Sequence, residues 1–420
     1  MKFAFALMGS RGDVQPALPV ALELRRRGHE VAVGVAPNLV PLAARLGLDP
    51  VPVGQDSRAL LESDTVRVHK RSRNPMTRLR AHQEMAAYGW DELREGLLGL
   101  TDGADAVVAG LLGQEVGSAV AEARDCGFAA LHYFPVRPNG VVPVLPRGGP
   151  RVQRAVWEAG LGLRWAVTRS AENAQRRALG LPPAVVRLQD RLRDRGAVEV
   201  QAYDPVLVPG LAEEWGVNSP FVGFLALADD DRALLGESAD DVSDWLAAGD
   251  PPVYVGFGSM PVRDPAGLLA AVSGACADLG LRALVSAGWN VFDTDARTGT
   301  GAAGDHVRVV GPVDHATVLP RCAAAVHHGG AGTTAAALRA GIPSVVGWYS
   351  ADQPIWGRLV ERAGAGTSRK VSALDRDTLR AALREVLSPE VVGRAAAVGG
   401  ALVPAEVAVK AAADAVEMAG

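Results

Sequence analysis

Short apolar runs alternate with longer segments of mixed polarity along most of the chain. In the first half, residues 3–8, 30–36, 106–109 and 128–134 are rich in Val, Ala, Leu and Phe and too short for core helices, so they predict buried strands. Residues 16–27 predict a helix ended by Gly28, with the next strand following at once. In the second half, residues 253–257, 281–286, 307–310, 323–327 and 344–347 predict further strands, each followed by a helix-compatible stretch such as 334–340. This alternation predicts an α/β fold of two Rossmann-like, doubly wound domains with parallel sheets.

The junction is expected where apolar patterning gives way to Pro205, Pro209, Pro220 and the acidic run Asp229-Asp230-Asp231. The expected organisation is an N-terminal domain over residues 1–215, a linker over 216–231 and a second domain over 232–420, the final helix being a candidate to pack back on the first. Two such domains joined by one linker are expected to face each other across a cleft. Ligands of open α/β sheets bind beyond the carboxyl ends of the strands, and domain interfaces favour small-molecule pockets. The chemistry is therefore expected in loops that follow strands.

Composition narrows the function class. With 48% apolar and 21% charged residues, the 420-residue chain is globular and not disordered. A formal net charge of −4 lacks the basic field that holds nucleic acid, so no nucleic-acid partner is expected. Cys126, Cys276 and Cys322 show no metal spacing, which suits a reducing compartment. No apolar run approaches the roughly 18 residues of a transmembrane segment, and the N-terminus lacks the features of a signal peptide. A cytoplasmic location is expected.

The strongest chemical signal is the run from Ala325 to Thr334, AVHHGGAGTT. A strand ends in His327 and His328, a glycine-rich turn follows, and a helix opens at the threonines. Glycines let the backbone approach an anion, and a helix start offers unpaired N–H groups and a positive dipole end. A second turn, Gly256-Phe257-Gly258-Ser259, follows the first strand of the second half, where such domains carry a phosphate loop. It is not GxGxxG, so no nicotinamide or flavin cofactor is expected. Ser259 is a candidate anion ligand or an N-cap. A third element, Trp348 to Trp356, sets Asp352 beside Gln353, an acceptor-only carboxylate next to a donor–acceptor amide, which suits a vicinal diol. Asp352 also fits an N-cap before Pro354.

Residues 327–334 with Asp352-Gln353-Pro354, preceded by Gly311-Pro312-Val313-Asp314-His315, resemble the donor-binding signature of the GT-B, UDP-glycosyltransferase-like superfamily. Residues 9–16, GSRGDVQP, resemble the subgroup of glycopeptide-antibiotic, sterol and mycobacterial glycolipid glycosyltransferases. The resemblance spans nearly the whole chain. It implies that His328 contacts a donor diphosphate, with Ser259, Val313, Gly330, Gly332 and Thr333 completing the nucleotide site and Asp352 and Gln353 holding the sugar. The position where plant relatives stack the base on tryptophan corresponds to Pro312, which leaves uracil and thymine both open.

Transfer with inversion needs a base for the acceptor hydroxyl, worth roughly 10²–10⁴-fold. Asp13, just past the first strand, is the candidate, which the resemblance supports; by position alone it also fits a helix cap. His132 and Phe134, near a strand end, are candidates to line the acceptor pocket. Asp293-Thr294-Asp295 is a DxD string, but no strand leads into it, and no metal or cofactor beyond the nucleotide-sugar co-substrate is expected. Basic residues over 67–82 suit a solvated loop or one that meets acceptor or membrane. The expected activity is an inverting hexosyltransferase that moves a sugar from a UDP- or dTDP-sugar to a natural-product or lipid hydroxyl, as in antibiotic biosynthesis. A sugar-nucleotide epimerase and a non-catalytic sugar-nucleotide-binding helper are the alternatives.

Overall fold

The structure is a computed structural model that describes all residues except 63–73, 146, 237–239, 261, 289 and 291–305. The chain divides into two compact units. The first comprises residues 1–205, 209–235 and 403–420, and the second residues 206–208 and 236–402.

The first unit holds a six-stranded sheet in the order β3-β2-β1-β4-β5-β6: β1 (Lys2–Leu7), β2 (Glu30–Val35), β3 (Pro50–Pro52), β4 (Ala106–Ala109), β5 (Gly127–His132) and β6 (Val198–Gln201). All its pairs are parallel. Helices cover both faces of such a sheet, so its central strands are buried on both sides and read as unbroken apolar runs. In β1, every residue from Phe3 to Leu7 is buried. One core layer joins Ala4, Ala6, Val107 and Ala109 of the sheet to Trp90, Leu93, Leu97, Val116 and Val120 of the flanking helices. The helix expected over 16–27 begins as a 3₁₀ turn, Gln15–Ala17, and continues as Leu18–Arg26.

The second unit repeats the plan in the order β12-β11-β10-β7-β8-β9: β7 (Val253–Gly256), β8 (Ala283–Ser286), β9 (Val307–Val310), β10 (Ala324–His327), β11 (Ser344–Trp348) and β12 (Gly366–Lys370). Its pairs are also all parallel. In each sheet the order reverses between two central strands, β1 and β4 in the first and β7 and β10 in the second. That is where an open α/β sheet holds its ligand.

Residues 216–231 are not the linker that composition suggested. They fall within the first unit, and residues 218–222 run along β6: Glu199 N–H donates to Asn218 O (2.9 Å), Gln201 N–H to Pro220 O (2.8 Å) and Val222 N–H to Gln201 O (3.1 Å). Asp231, from the acidic run, pairs with Arg26 at 2.6 Å. The final helix, Ala405–Glu417, belongs to the first unit: Arg27 reaches Asp414 (2.6 Å) and Glu417 (3.0 Å), and Val403 N–H donates to Asp204 Oδ2 (2.7 Å).

Candidate functional site

In the first unit, β1 runs into a turn at Gly9 and a short helix, Arg11–Val14. Gly9 has φ +106°, and a Cβ there would lie 2.5 Å from Asp13 Oδ2 and 2.7 Å from Leu112. Only glycine lets the carboxylate fold back over the turn. Ser10 then holds it twice, from its N–H (2.7 Å) and its hydroxyl (2.9 Å), both onto Oδ2. Ser10, not Asp13, is the N-cap, and Asp13 Oδ1 has no hydrogen-bond donor among the described residues. Burial raises the Asp13 pKa, and the two Ser10 hydrogen bonds pull the other way with less effect. The result is a carboxylate anchored by one oxygen, with raised basicity and its other oxygen open.

His132, expected to line an acceptor pocket, is instead fully enclosed at the end of β5. Its ring nitrogens face the side-chain amides of Gln114 (3.1 Å) and Gln201 (3.2 Å). Burial, followed by the charge of Arg137, pushes its pKa down to about 3, so the ring is neutral and fixes the strand end. Phe134 is half-buried.

In the second unit, β7 and β10 lie side by side with Gly256 opposite His327. The turn after β10 is built from glycine by necessity. Gly329 has φ +86°, and a Cβ there would lie 2.6 Å from Val346 and 3.2 Å from the Gln353 carbonyl oxygen. Its N–H donates to His327 Nδ1 (3.1 Å), which ties down the fully buried first histidine. The His328 ring lies between two more glycines: a Cβ on Gly330 would be 2.5 Å from Nε2, and one on Gly258 would be 3.2 Å from Cε1. Among the described residues, His328 Nδ1 is buried without a hydrogen-bond partner. Burial, helped by His315, depresses the His328 pKa to about 4, so the free ring is a neutral imidazole. Gly330 caps the helix Ala331–Arg339, whose first N–H groups have no intrahelical partner. Gly332 is exposed and Thr333 half-buried at that opening.

The loop after β7 approaches from the other side. Ser259 is half-buried in this turn, and no helix starts there; the next begins at Pro265 with Asp264 as its cap. Asn290, which sequence reading missed, braces this loop: its Oδ1 accepts from Val262 N–H (2.7 Å) and its Nδ2 donates to Met260 O (3.2 Å). Its surroundings, not any motif, give it this role. After β11, Gln353 Oε1 accepts from the N–H groups of Tyr349 (2.8 Å) and Ser350 (3.3 Å), so only its Nε2 remains to meet a ligand. Asp352 stands at the N-cap position of Gln353–Arg362, yet its side chain makes no cap bond. The residue before it, Ala351, has φ +59°, a strained conformation for alanine. The Val313 side chain is buried against Tyr254 and Val318. The structure therefore brings Gly258, His328, Gly330 and Gln353 around one turn and directs Val313 into the core. The DxD string and residues 67–73 of the basic segment 67–82 lie outside the described residues; the rest of the segment leads into and opens the helix Pro75–Ala86.

Residues 289–411 match the family described as erythromycin biosynthesis protein CIII-like, C-terminal domain. An uncharacterized glycosyltransferase of Mycobacterium tuberculosis is 42% identical, with 99% of this chain and 98% of the relative covered. The chain belongs to the UDP-glycosyltransferase-like superfamily. Within this superfamily, the vancomycin aglycone glucosyltransferase of Amycolatopsis orientalis is 32% identical over 96% of this chain and 94% of its own. Among solved structures, the calicheamicin glycosyltransferase CalG4 matches with a TM-score of 0.73 at 18% identity, covering 99% of this chain and 97% of its own. Glycosyltransferase VinC, solved in complex with DTDP, matches with a TM-score of 0.65 at 20% identity, covering 100% and 99%. This UDP-glycosyltransferase-like chain thus has the GT-B fold and is a glycosyltransferase of the natural-product, antibiotic type. No single helix among its described residues is long and apolar enough to cross a membrane.

Proposed function

We propose that the chain is an inverting, metal-independent hexosyltransferase that moves a hexose or deoxyhexose from a UDP- or dTDP-sugar to a hydroxyl of a natural-product aglycone or lipid. The observation that carries the reading is the Asp13 carboxylate, anchored through Oδ2 and open at Oδ1 beside the reversal point of the first sheet. In the proposed step the acceptor oxygen bonds to the anomeric carbon while the bond from that carbon to the diphosphate oxygen breaks. The acceptor proton goes to Asp13 Oδ1, and the bonding electrons leave with the diphosphate. His328, the opening of the helix Ala331–Arg339, Thr333 and Ser259 receive that charge, a fixed-dipole form of stabilisation. Asp352 and the Gln353 amide nitrogen hold the sugar hydroxyls.

A thermal-shift panel of uridine and thymidine diphosphate sugars tests the donor, followed by an acceptor screen with the best hit. Stabilisation by at least one nucleotide sugar and glycosylation of an acceptor are expected. Conversion of the donor alone into an isomeric sugar nucleotide would replace this reading with an epimerase, and binding without turnover on any acceptor would replace it with a helper protein.

A further inference from the structure

The loops leaving β1, β4 and β5 are neighbours, because Ala109 pairs with both Ala6 and Ala130. Tyr133 follows β5 and is 7% exposed, and its hydroxyl is buried with no hydrogen-bond partner among the described residues. A buried hydroxyl left unpaired costs stability, and phenylalanine would fill the same space without that cost. Gly110 follows β4. A Cβ there would lie 3.9 Å from the Asp13 backbone oxygen and 4.0 Å from the Tyr133 hydroxyl, both ordinary contact distances. The Gly110 backbone is outside the left-handed region, so its conformation does not demand glycine. What the missing side chain leaves is a methyl-sized gap between the Asp13 backbone oxygen and the unpaired phenol.

We infer that the Tyr133 hydroxyl is an acceptor-binding group: it donates a hydrogen bond to the oxygen of the hydroxyl whose proton passes to Asp13, and Gly110 leaves the gap which that hydroxyl fills. The inference rests on the reading of Asp13 as the base. A phenol can donate while the acceptor oxygen keeps a second lone pair for attack. Burial, and then the charge of Asp13, pushes the Tyr133 phenol above its ordinary value, so it stays protonated and remains a donor. The neighbouring His132, held between Gln114 and Gln201, fixes the end of the strand that carries it.

The test uses the full chain as wild type, Tyr133→Phe and Gly110→Ala, with 4-nitrophenol as the hydroxyl-bearing probe and nitrobenzene as its counterpart, both followed by calorimetry. Wild type is expected to bind 4-nitrophenol saturably. Tyr133→Phe should weaken that binding about 3- to 10-fold, the size of one hydrogen bond, and leave nitrobenzene binding unchanged. Its melting temperature should equal or exceed that of wild type, because it removes an unpaired group. Gly110→Ala, which puts a methyl in the gap, should weaken 4-nitrophenol at least as much. Absence of saturable binding by wild type, equal binding by Tyr133→Phe, or a lowered melting temperature in Tyr133→Phe would overturn the inference. Nucleoside diphosphate binding, measured on the same samples, reports on the second unit. Its absence from wild type would count against the donor site and not against Tyr133.

Discussion

The two units share one strand order and differ in what stands at its reversal point. In the first, the turn after β1 carries a carboxylate held back by Ser10. In the second, the turn after β10 carries glycines, a neutral histidine and a helix opening. Burial acts on both and favours the uncharged form, which makes the aspartate more basic and the histidine less so. One strand order therefore carries a buried carboxylate at one reversal point and a neutral histidine beside a helix opening at the other, through a handful of loop residues.

The sharpest way to break this contrast is at Asp13. Asp13→Asn should lower turnover by roughly 10²–10⁴-fold and leave calorimetric nucleotide binding intact; lost nucleotide affinity with full turnover at saturation would contradict the division of labour. The same variant should melt higher than wild type at neutral pH. Because the Asp13 pKa is raised in the fold, its ionised form is disfavoured there, and the difference should vanish below the ordinary value of 3.8. Next in size, His328→Ala should weaken nucleoside diphosphate binding by about 10- to 100-fold, the range for a hydrogen bond to a charged group; unchanged calorimetry would remove it from the site. Gly329→Ala forces φ +86° on alanine against Val346 and should cost about 1–3 kcal/mol, read as a lower melting temperature.

Ionisation gives two smaller tests. Ser10→Ala removes one of the donors that hold the Asp13 pKa down, so the pKa should rise and the acid limb of kcat/KM should move to higher pH. His327 and His328, depressed to about 3 and about 4, stay neutral in the fold, so acid should destabilise the protein as pH falls from the ordinary value of 6.5 toward those values. Loss of that acid sensitivity in His328→Ala would assign part of it to the turn after β10. An unaltered acid profile in the variant would assign it elsewhere.

The fold was legible where short runs are rich in apolar residues, whether buried on both faces, as in β4, or alternating at an edge, as in β9. The expected runs 106–109 and 307–310 coincide with β4 and β9, and the other expected strands fall within a few residues of observed ones. The strands that patterning missed, β3, β6 and β12, are all at sheet edges. Pro50-Val51-Pro52 carries two prolines, which edges tolerate and centres do not. Gly366–Lys370 is polar, and β6 carries Glu199 and Gln201, which are buried only because a later segment and a hydrogen-bond network cover them. At the site, the glycine-rich turn and the position of Asp13 were legible as motifs. The enclosure of His132, the commitment of Gln353 Oε1 to backbone and the bracing by Asn290 depend on three-dimensional neighbours that no local pattern encodes.

The route of the chain has a further consequence. In sequence, residues 236–402 lie between two parts of the first unit, whose helix Ala405–Glu417 is made after them. During synthesis the second unit is whole before the first, which lacks a wall until Ala405–Glu417 emerges to meet Arg27. A premature stop ahead of Val403 would therefore injure the half encoded first.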